Sequence, residues 1–176
     1  MGAQGVGESN GAGKTEAVLD FYVRLVFSVR MKRSPAEHEA VREVREIYAE
    51  WQRRPLDRNC TGVSECCRFK LTGRTPYLTR GEALVAALAW KAAGRKDVVV
   101  PADGSCPFLH SDTGKCRIYD GRPFGCRTHF CAAAGGPANR NDVRDLIQRL
   151  EEIDSRLGGN GAVNLPTAVR EAMTNH

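Results

Sequence analysis

Seven cysteines are the residues of this chain whose type and spacing could do chemistry. All of them lie between residues 60 and 131, and they are Cys60, Cys66, Cys67, Cys106, Cys116, Cys126 and Cys131. Secreted mini-proteins use such cysteines as a disulfide framework. Here the number of cysteines is odd, and a chain of 176 residues is long enough to fold without disulfide bonds. Thiolates are strong ligands for zinc and for iron–sulfur clusters. We therefore take all seven as candidate metal ligands.

The number of thiols limits how they can share metal. A tetrahedral zinc or a four-iron cluster takes four thiolates, so seven cysteines exceed one site and fall one short of two. Cys66 and Cys67 are adjacent, and neighbours in an extended chain point in different directions and seldom serve one ion. We expect one well-formed site that uses one of this pair, Cys60 and residues of the second half, with the remaining thiols left for a weaker site.

The positive charge of the chain is concentrated in the same segment. Lys and Arg number 26 against 21 Asp and Glu, a formal charge of +5, and residues 60–131 alone hold 11 basic and 6 acidic residues. Such a segment is compatible with nucleic-acid binding. It also fits a counter-charge to a metal–thiolate centre, which is net negative. We favour the counter-charge, and expect Arg117, Arg122 and Arg127 near sulfurs or nearby backbone carbonyls.

Outside the cysteine segment, the sequence predicts helices. Residues 1–15 are Gly-rich and predict a flexible tail, and apolar residues at helical spacing follow from Glu16 to Arg30. Ser34-Pro35 is typical of a helix start, and Val41 to Trp51 carries an apolar face. We expect an N-terminal helical pair over 16–56, a cysteine-cluster metal-binding domain over 57–135, and C-terminal helices over 139–176 that pack on the same domain.

The cysteine segment itself contains one clear helix. Thr79-Arg80-Gly81-Glu82 is a capping box that opens it, and Gly94 marks its end. Val98–Val100 predicts a short strand, and residues 106–119 predict a β-hairpin around an Asp-Thr-Gly turn. The predicted fold class is mainly α, with helices flanking a small cysteine-rich metal-binding core that contains the hairpin.

Two other patterns carry less weight. His110 and His129 lie between cysteines and are alternative ligands for a mixed site, although seven thiols make a histidine unnecessary. The string GESNGAGKT at residues 7–15 ends like a phosphate-binding loop, but its opening glycine is one residue early and no strand precedes it. We therefore predict no nucleotide site, and no arrangement of catalytic residues is evident.

The first third of the chain also bears on location. The longest apolar candidate, Val18 to Val29, is interrupted by Asp20 and Arg24 and does not approach the ~20 residues of a membrane span. The first 13 residues contain no apolar signal-peptide core. We expect a cytoplasmic protein with no membrane partner.

The cysteine segment resembles a known family. Its order is Cys60-x5-Cys66-Cys67-Arg, Cys106-Pro-Phe-Leu, Cys116-Arg-Ile-Tyr, Arg122-Pro-x2-Cys126-Arg and then Cys131. This order is similar to that of the YkgJ family of bacterial cysteine-cluster proteins, which is described as a zinc- or iron-chelating domain family with a CxxCxxCC head. The resemblance covers about residues 58–135 and implies metal or cluster binding. One position departs from the head, because its second cysteine corresponds to Val63.

These observations predict a protein that binds zinc or iron through clustered thiolates, with an iron–sulfur cluster as one form of the iron. A zinc-stabilised interaction module that binds an acidic partner or nucleic acid is the second hypothesis. The resemblance also extends to flagellin lysine methylases, which implies a methylase-type enzyme as the third. Steeply salt-dependent binding would favour the second, and turnover with a methyl donor the third.

Overall fold

A computed structural model describes residues 33–55, 64–131 and 134–174 of the chain. The predicted tail, the predicted helix between Glu16 and Arg30, Cys60 and Val63 lie outside these residues. From Pro35 onward the chain forms one unit, and every helix and strand with bounds given below belongs to it.

The described residues are mainly helical, as predicted. The helices are α1 Pro35–Arg53, α2 Phe69–Thr72, α3 Arg80–Ala92, α4 Phe124–Thr128, α5 Arg140–Arg156 and α6 Leu165–Thr174, with 3-10 turns at Glu65–Cys67 and Tyr119–Gly121. Two strands, β1 Tyr77–Leu78 and β2 Val163–Asn164, pair antiparallel with Tyr77 opposite Asn164. The predicted fold class, mainly α, is confirmed, and the short antiparallel pair of the structure is made by residues other than the predicted hairpin over 106–119.

The long helices begin where the sequence signals place them. Helix α1 starts at Pro35, directly after Ser34, and buries the predicted apolar face that ends in Trp51. Helix α5 is capped by Asn139, whose side chain accepts a hydrogen bond from the Asn141 N–H at 3.0 Å. Among the described residues, none of the helices combines the length and the apolar character that a bilayer span requires.

Helix α3 is the centre of the core and packs against α1, α5 and α6. Its residues from Gly81 to Ala87 are buried. A Cβ on Gly81 would lie 2.9 Å from Cγ2 of Ile153 in α5 and 3.0 Å from Cγ2 of Val44 in α1. The missing side chain therefore allows three helices to meet closely at the start of α3.

The buried carboxylate of Asp154 joins the end of α5 to the start of α3. It accepts hydrogen bonds from the Arg80 N–H at 2.6 Å and from the Gly161 N–H at 3.0 Å. An acidic group beside a helix N-terminus satisfies unpaired N–H groups and complements the helix dipole. This contact also fixes the loop that leads from α5 into β2.

The predicted strand over Val98–Val100 is wrong. In the structure this segment has no strand and no strand partner among the described residues. Only Val98 is buried, whereas Val99 and Val100 are exposed and Pro101 follows them. The run of valines therefore lacks both a covering face and a neighbouring strand.

The predicted hairpin over residues 106–119 is reduced to a single antiparallel bridge between Leu109 and Cys116. Its hydrogen bonds run from the Arg117 N–H to the Phe108 carbonyl at 2.8 Å and from the His110 N–H to the Lys115 carbonyl at 2.9 Å. Tight turns follow on both sides, so the ladder ends after one bridge. The two-stranded pairing of the fold is instead made by β1 and β2, which are distant in sequence.

Charged side chains pair across the outer faces of α1 and α5. Arg54 contacts Asp145 and Glu50, Arg149 contacts Glu50, and Arg156 contacts Glu43. Hydrogen bonds from the arginines lower the pKa of Glu50 and of Asp145. Because these groups lie at the surface and are partly exposed, each pair contributes little to stability.

Gly121 provides a test of the packing on α3. A Cβ at this position would lie 2.4 Å from Cβ of Ala89. Gly121→Ala should therefore lower the free energy of unfolding by about 1–3 kcal/mol, measured by urea denaturation. Gly125→Ala is the matched control, because a Cβ there meets nothing within 4 Å and alanine is favoured over glycine in a helix. An unchanged midpoint of urea denaturation for Gly121→Ala would contradict the close approach of Gly121 to Ala89.

Candidate metal centre

Five of the seven predicted ligands lie on the wall of one cavity of about 900 Å³. They are Cys66, Cys67, Cys106, Cys116 and Cys126. Cys131 is half-buried and is not among the described residues that line this cavity. Its role as a ligand, like that of Cys60, stays a prediction.

The two halves of the cysteine segment meet through the backbone. Cys66 and Cys67 lie in the 3-10 turn Glu65–Cys67, which follows Ser64 with a φ of 57°. The Cys106 N–H donates to the Cys67 carbonyl at 2.7 Å. This hydrogen bond brings a thiol of the second half beside the pair of the first.

The other two cavity thiols are placed by short local structures. Cys116 is held by its bridge to Leu109, after a turn in which Gly114 has a φ of 64°. A positive φ of this size favours glycine, which explains the Asp-Thr-Gly turn. Cys126 lies in the middle of α4. Four separate segments thus supply the five thiols.

The cavity thiols interact with one another. The neighbouring thiol of Cys67 and burial raise the pKa of Cys66, and the neighbouring thiol of Cys106 and burial raise the pKa of Cys67 to about 12. Burial likewise raises the pKa of Cys116 and of Cys126. Metals bind cysteine as the thiolate, so metal binding at these thiols is coupled to the release of their protons.

The thiols are neighbours but do not converge on one point. Across residues 33–55, 64–131 and 134–174, no group of three His, Cys, Asp or Glu side chains is arranged to hold a metal ion. The donor chemistry nevertheless fits zinc or iron, because several thiols share a cavity wall without a competing carboxylate.

The two histidines between the cysteines differ in position. His129 lies on the cavity wall. His110 is not among the described residues of that wall, and its Nδ1 accepts a hydrogen bond from the Asp112 N–H at 3.3 Å. Of the two alternative ligands, His129 is therefore the one that faces the thiols' cavity.

A buried carboxylate holds the cavity to the helical core. One oxygen of Glu82, in α3, accepts hydrogen bonds from the Thr79 N–H and hydroxyl, both at 3.0 Å. The other accepts from the Phe124 N–H at 2.8 Å and from the Tyr48 hydroxyl at 3.3 Å. Phe124 is the first residue of α4, so Glu82 fixes the start of the helix that carries Cys126.

Arg127 strengthens the same junction. Its Nε donates to the Arg122 carbonyl at 2.9 Å and its Nη2 donates to the Asp120 carbonyl. The guanidinium carbon lies 4.2 Å from the centre of the Tyr48 ring, a cation–π contact. The Trp51 indole N–H donates to the Arg127 carbonyl at 3.3 Å. Arg127 is therefore buried and bound to backbone carbonyls, as predicted.

Arg122 lies close to the thiols. Its positive charge lowers the pKa of Cys66 and of Cys116, against the larger effects that raise them. The guanidinium carbon stacks 4.0 Å from the centre of the Tyr119 ring. The positions predicted for Arg122, near the sulfurs, and for Arg127, on nearby backbone carbonyls, are thus confirmed. The position of the Arg117 guanidinium stays a prediction.

Sequence reasoning identified Glu82 as a capping residue and missed its second function. A capping-box glutamate satisfies one N–H of its own helix. Here the same carboxylate also accepts from α1 and from α4. The available signal was the run of apolar residues around Glu82, which predicts that its side chain is enclosed.

Comparison with protein families supports this assignment of the cysteine segment. The family model CxxCxxCC, described as a putative zinc- or iron-chelating domain, matches residues 59–151, more than half of the chain. The chain belongs to this family. Searches of curated proteins and of solved structures found no match.

The CxxCxxCC match includes all seven cysteines and also helix α3 with Glu82. It extends beyond the 58–135 span of the sequence resemblance and into α5. The family domain is therefore larger than the cysteine segment and contains Glu82, Phe124 and Arg127 of the junction, whereas Tyr48 and Trp51 precede the match. A metal-binding role follows for the CxxCxxCC domain from the family description.

Removing the Glu82 side chain should damage the junction. Glu82→Ala leaves the Phe124 and Thr79 N–H groups and the Tyr48 hydroxyl without their acceptor and opens a cavity, so the free energy of unfolding should fall by about 2–5 kcal/mol. Glu39→Ala, on the exposed face of α1, should change it by less than about 0.5 kcal/mol. Urea denaturation measures both, and equal stabilities would contradict the proposed junction.

The ionisation of Glu82 gives a pH test. Burial raises the pKa of Glu82, and its hydrogen bonds oppose that rise. The folded state then binds the proton more tightly than the unfolded chain, whose glutamates titrate near pH ~4.3. Glu82 therefore contributes stability at low pH that is lost as pH rises through the raised pKa.

Glu82→Gln isolates this contribution because glutamine keeps the shape without the charge. The free energy of unfolding of the wild type minus that of Glu82→Gln should fall as the pH rises from about 4 to about 8. Taking the difference cancels the titration of other groups. A difference that increases with pH would mean that the four hydrogen bonds outweigh burial.

Proposed function

We propose that this chain binds zinc or iron, as an ion or as an iron–sulfur cluster, through the thiolates of the cavity. The observation that carries the proposal is the meeting of five thiols from four segments on one wall. Cysteines whose only role is to pack in a hydrophobic core are not expected to come together from separate segments on one cavity wall. Cys60 lies six residues before Cys66 and is a further candidate ligand.

The charge around the thiols supports the same function. A divalent zinc or iron ion bound to four thiolates carries a net charge of about −2. Arg122 lies beside Cys66 and Cys116 and offsets such a charge. Arg127, which is buried one residue after Cys126, adds to the positive potential.

The metal would also stabilise the cysteine segment. Between Cys106 and Thr128 the chain contains one bridge, one 3-10 turn and a helix of five residues. Such short elements make few internal hydrogen bonds. A structural metal contributes on the order of 10–16 kcal/mol, which is as large as the net stability of a domain.

The metal content of the intact protein tests the proposal. The full chain, purified without oxygen, should contain about one equivalent or more of zinc or iron by elemental analysis. A colourless protein indicates zinc, whereas broad absorption near ~400 nm that bleaches on reduction indicates an iron–sulfur cluster. Less than about a tenth of an equivalent, with every thiol freely titratable in the folded state, would refute metal binding.

Single Cys→Ser variants locate the site. Cys67→Ser and Cys126→Ser should lower the bound metal at least about 5-fold, since each removes a cavity thiolate. Cys131→Ser tests the predicted ligand that does not line the described cavity wall, and Ser155→Ala, in α5, is the control that should keep the metal. Circular dichroism of each variant shows whether the helices remain. Loss of metal only in Cys131→Ser would place the site outside the cavity.

A further inference from the structure

The cavity beside the thiols is larger than a metal centre needs. Zinc–sulfur bonds are about 2.3 Å long, so a metal with its thiolates occupies only one side of such a space. The cavity volume of about 900 Å³ lies in the range of small-molecule sites, which is roughly 300–1,000 Å³. A ligand other than the metal can therefore fit there.

Much of the remaining wall is apolar. It is formed by Phe69, Pro76, Tyr77, Phe108 and Leu165. Phe108 and Leu165 are fully buried and belong to the core, so they give the wall a fixed shape. Tyr77 is 63 % exposed, which places an aromatic ring at the open edge of the cavity. An apolar body of a ligand would be covered by these side chains.

The charged side chains on the wall all have one sign. Arg74, Lys115 and Arg122 line the cavity, and no Asp or Glu does so among the described residues. None of these three cations forms an ion pair within the described part of the chain. Other cations of the described residues, such as Arg95 and Arg144, also have no ion pair, so the local property of the cavity is that three cations and no carboxylate share its described wall.

We propose that this cavity binds a small organic anion. Its oxyanion, a carboxylate or a phosphate, is held by Arg74 and Lys115, the two cations of the wall that are not assigned to the metal–thiolate charge, and its aromatic or aliphatic body lies against the apolar wall. Arginine binds both kinds of oxyanion through paired N–H donors. The proposal rests on the proposed function in one respect only, that the metal occupies the thiol side of the cavity.

Paired probes test the charge requirement. 4-Phenylbutyrate carries a carboxylate on an apolar body, and 4-phenylbutan-1-ol has the same body without the charge. Isothermal titration calorimetry on the metal-containing full chain should show that the carboxylate binds at least about 10-fold more tightly than the alcohol. Phenyl phosphate in a parallel titration shows which oxyanion the cations prefer.

Variants at exposed positions assign the contacts. Arg74→Gln and Lys115→Gln should each weaken the binding of 4-phenylbutyrate by about 3- to 10-fold and leave the alcohol unchanged. Tyr77→Ser should weaken both probes. Arg144→Gln, on the exposed face of α5, removes a positive charge away from the described cavity wall and should change neither.

Metal analysis of the same samples separates the two proposals. If the metal is present but the carboxylate binds no better than the alcohol, or neither binds, the ligand proposal is wrong and the metal function stands. If no metal is found but the carboxylate is still preferred and Arg74→Gln weakens it, the ligand proposal stands and the metal function is wrong. Equal weakening by Arg144→Gln would show non-specific charge attraction and would overturn the ligand proposal.

Discussion

The buried carboxylate of Glu82 is the interaction on which the cysteine cavity depends. It accepts hydrogen bonds from its own helix cap, from Tyr48 of α1 and from the first N–H of α4. Leaving a buried acceptor or its donors unpaired costs free energy, so α1, the start of α3 and the start of α4 are held as one unit. Cys126 is positioned by this unit, although it makes no hydrogen bond to Glu82 itself.

An aromatic shell around the carboxylate connects the polar junction with the hydrophobic core. The Phe124 ring lies 6.4 Å from the Tyr48 ring and 5.8 Å from the Trp51 ring, measured between centroids. Arg127 makes a cation–π contact with the Tyr48 ring and binds the carbonyls of the preceding turn. Residues adjacent to Cys126 in sequence therefore pack on α1. The helical core and the thiol wall share these side chains, so neither can shift independently.

Local signals made part of this structure predictable. Ser34-Pro35 and the Thr79 capping box mark helix starts through contacts within four residues, and the cysteine pattern identified the thiols that share the cavity. The β1–β2 pair was not predictable, because each strand has two residues and its partner is some 85 positions away. The cavity volume and the second function of Glu82 also depend on how distant elements pack, which no local pattern records.

The pairing of β1 with β2 has a consequence for how such proteins can diverge. It places the start of α6 beside the cavity, where the Leu165 N–H donates to the Pro76 carbonyl at 2.8 Å and the Leu165 side chain forms part of the wall. Leu165 lies beyond the family match, which ends at residue 151. Substitutions in this C-terminal segment can therefore reshape the cavity while every cysteine is kept. The shape of the proposed ligand site can thus change in evolution without a change in the thiols.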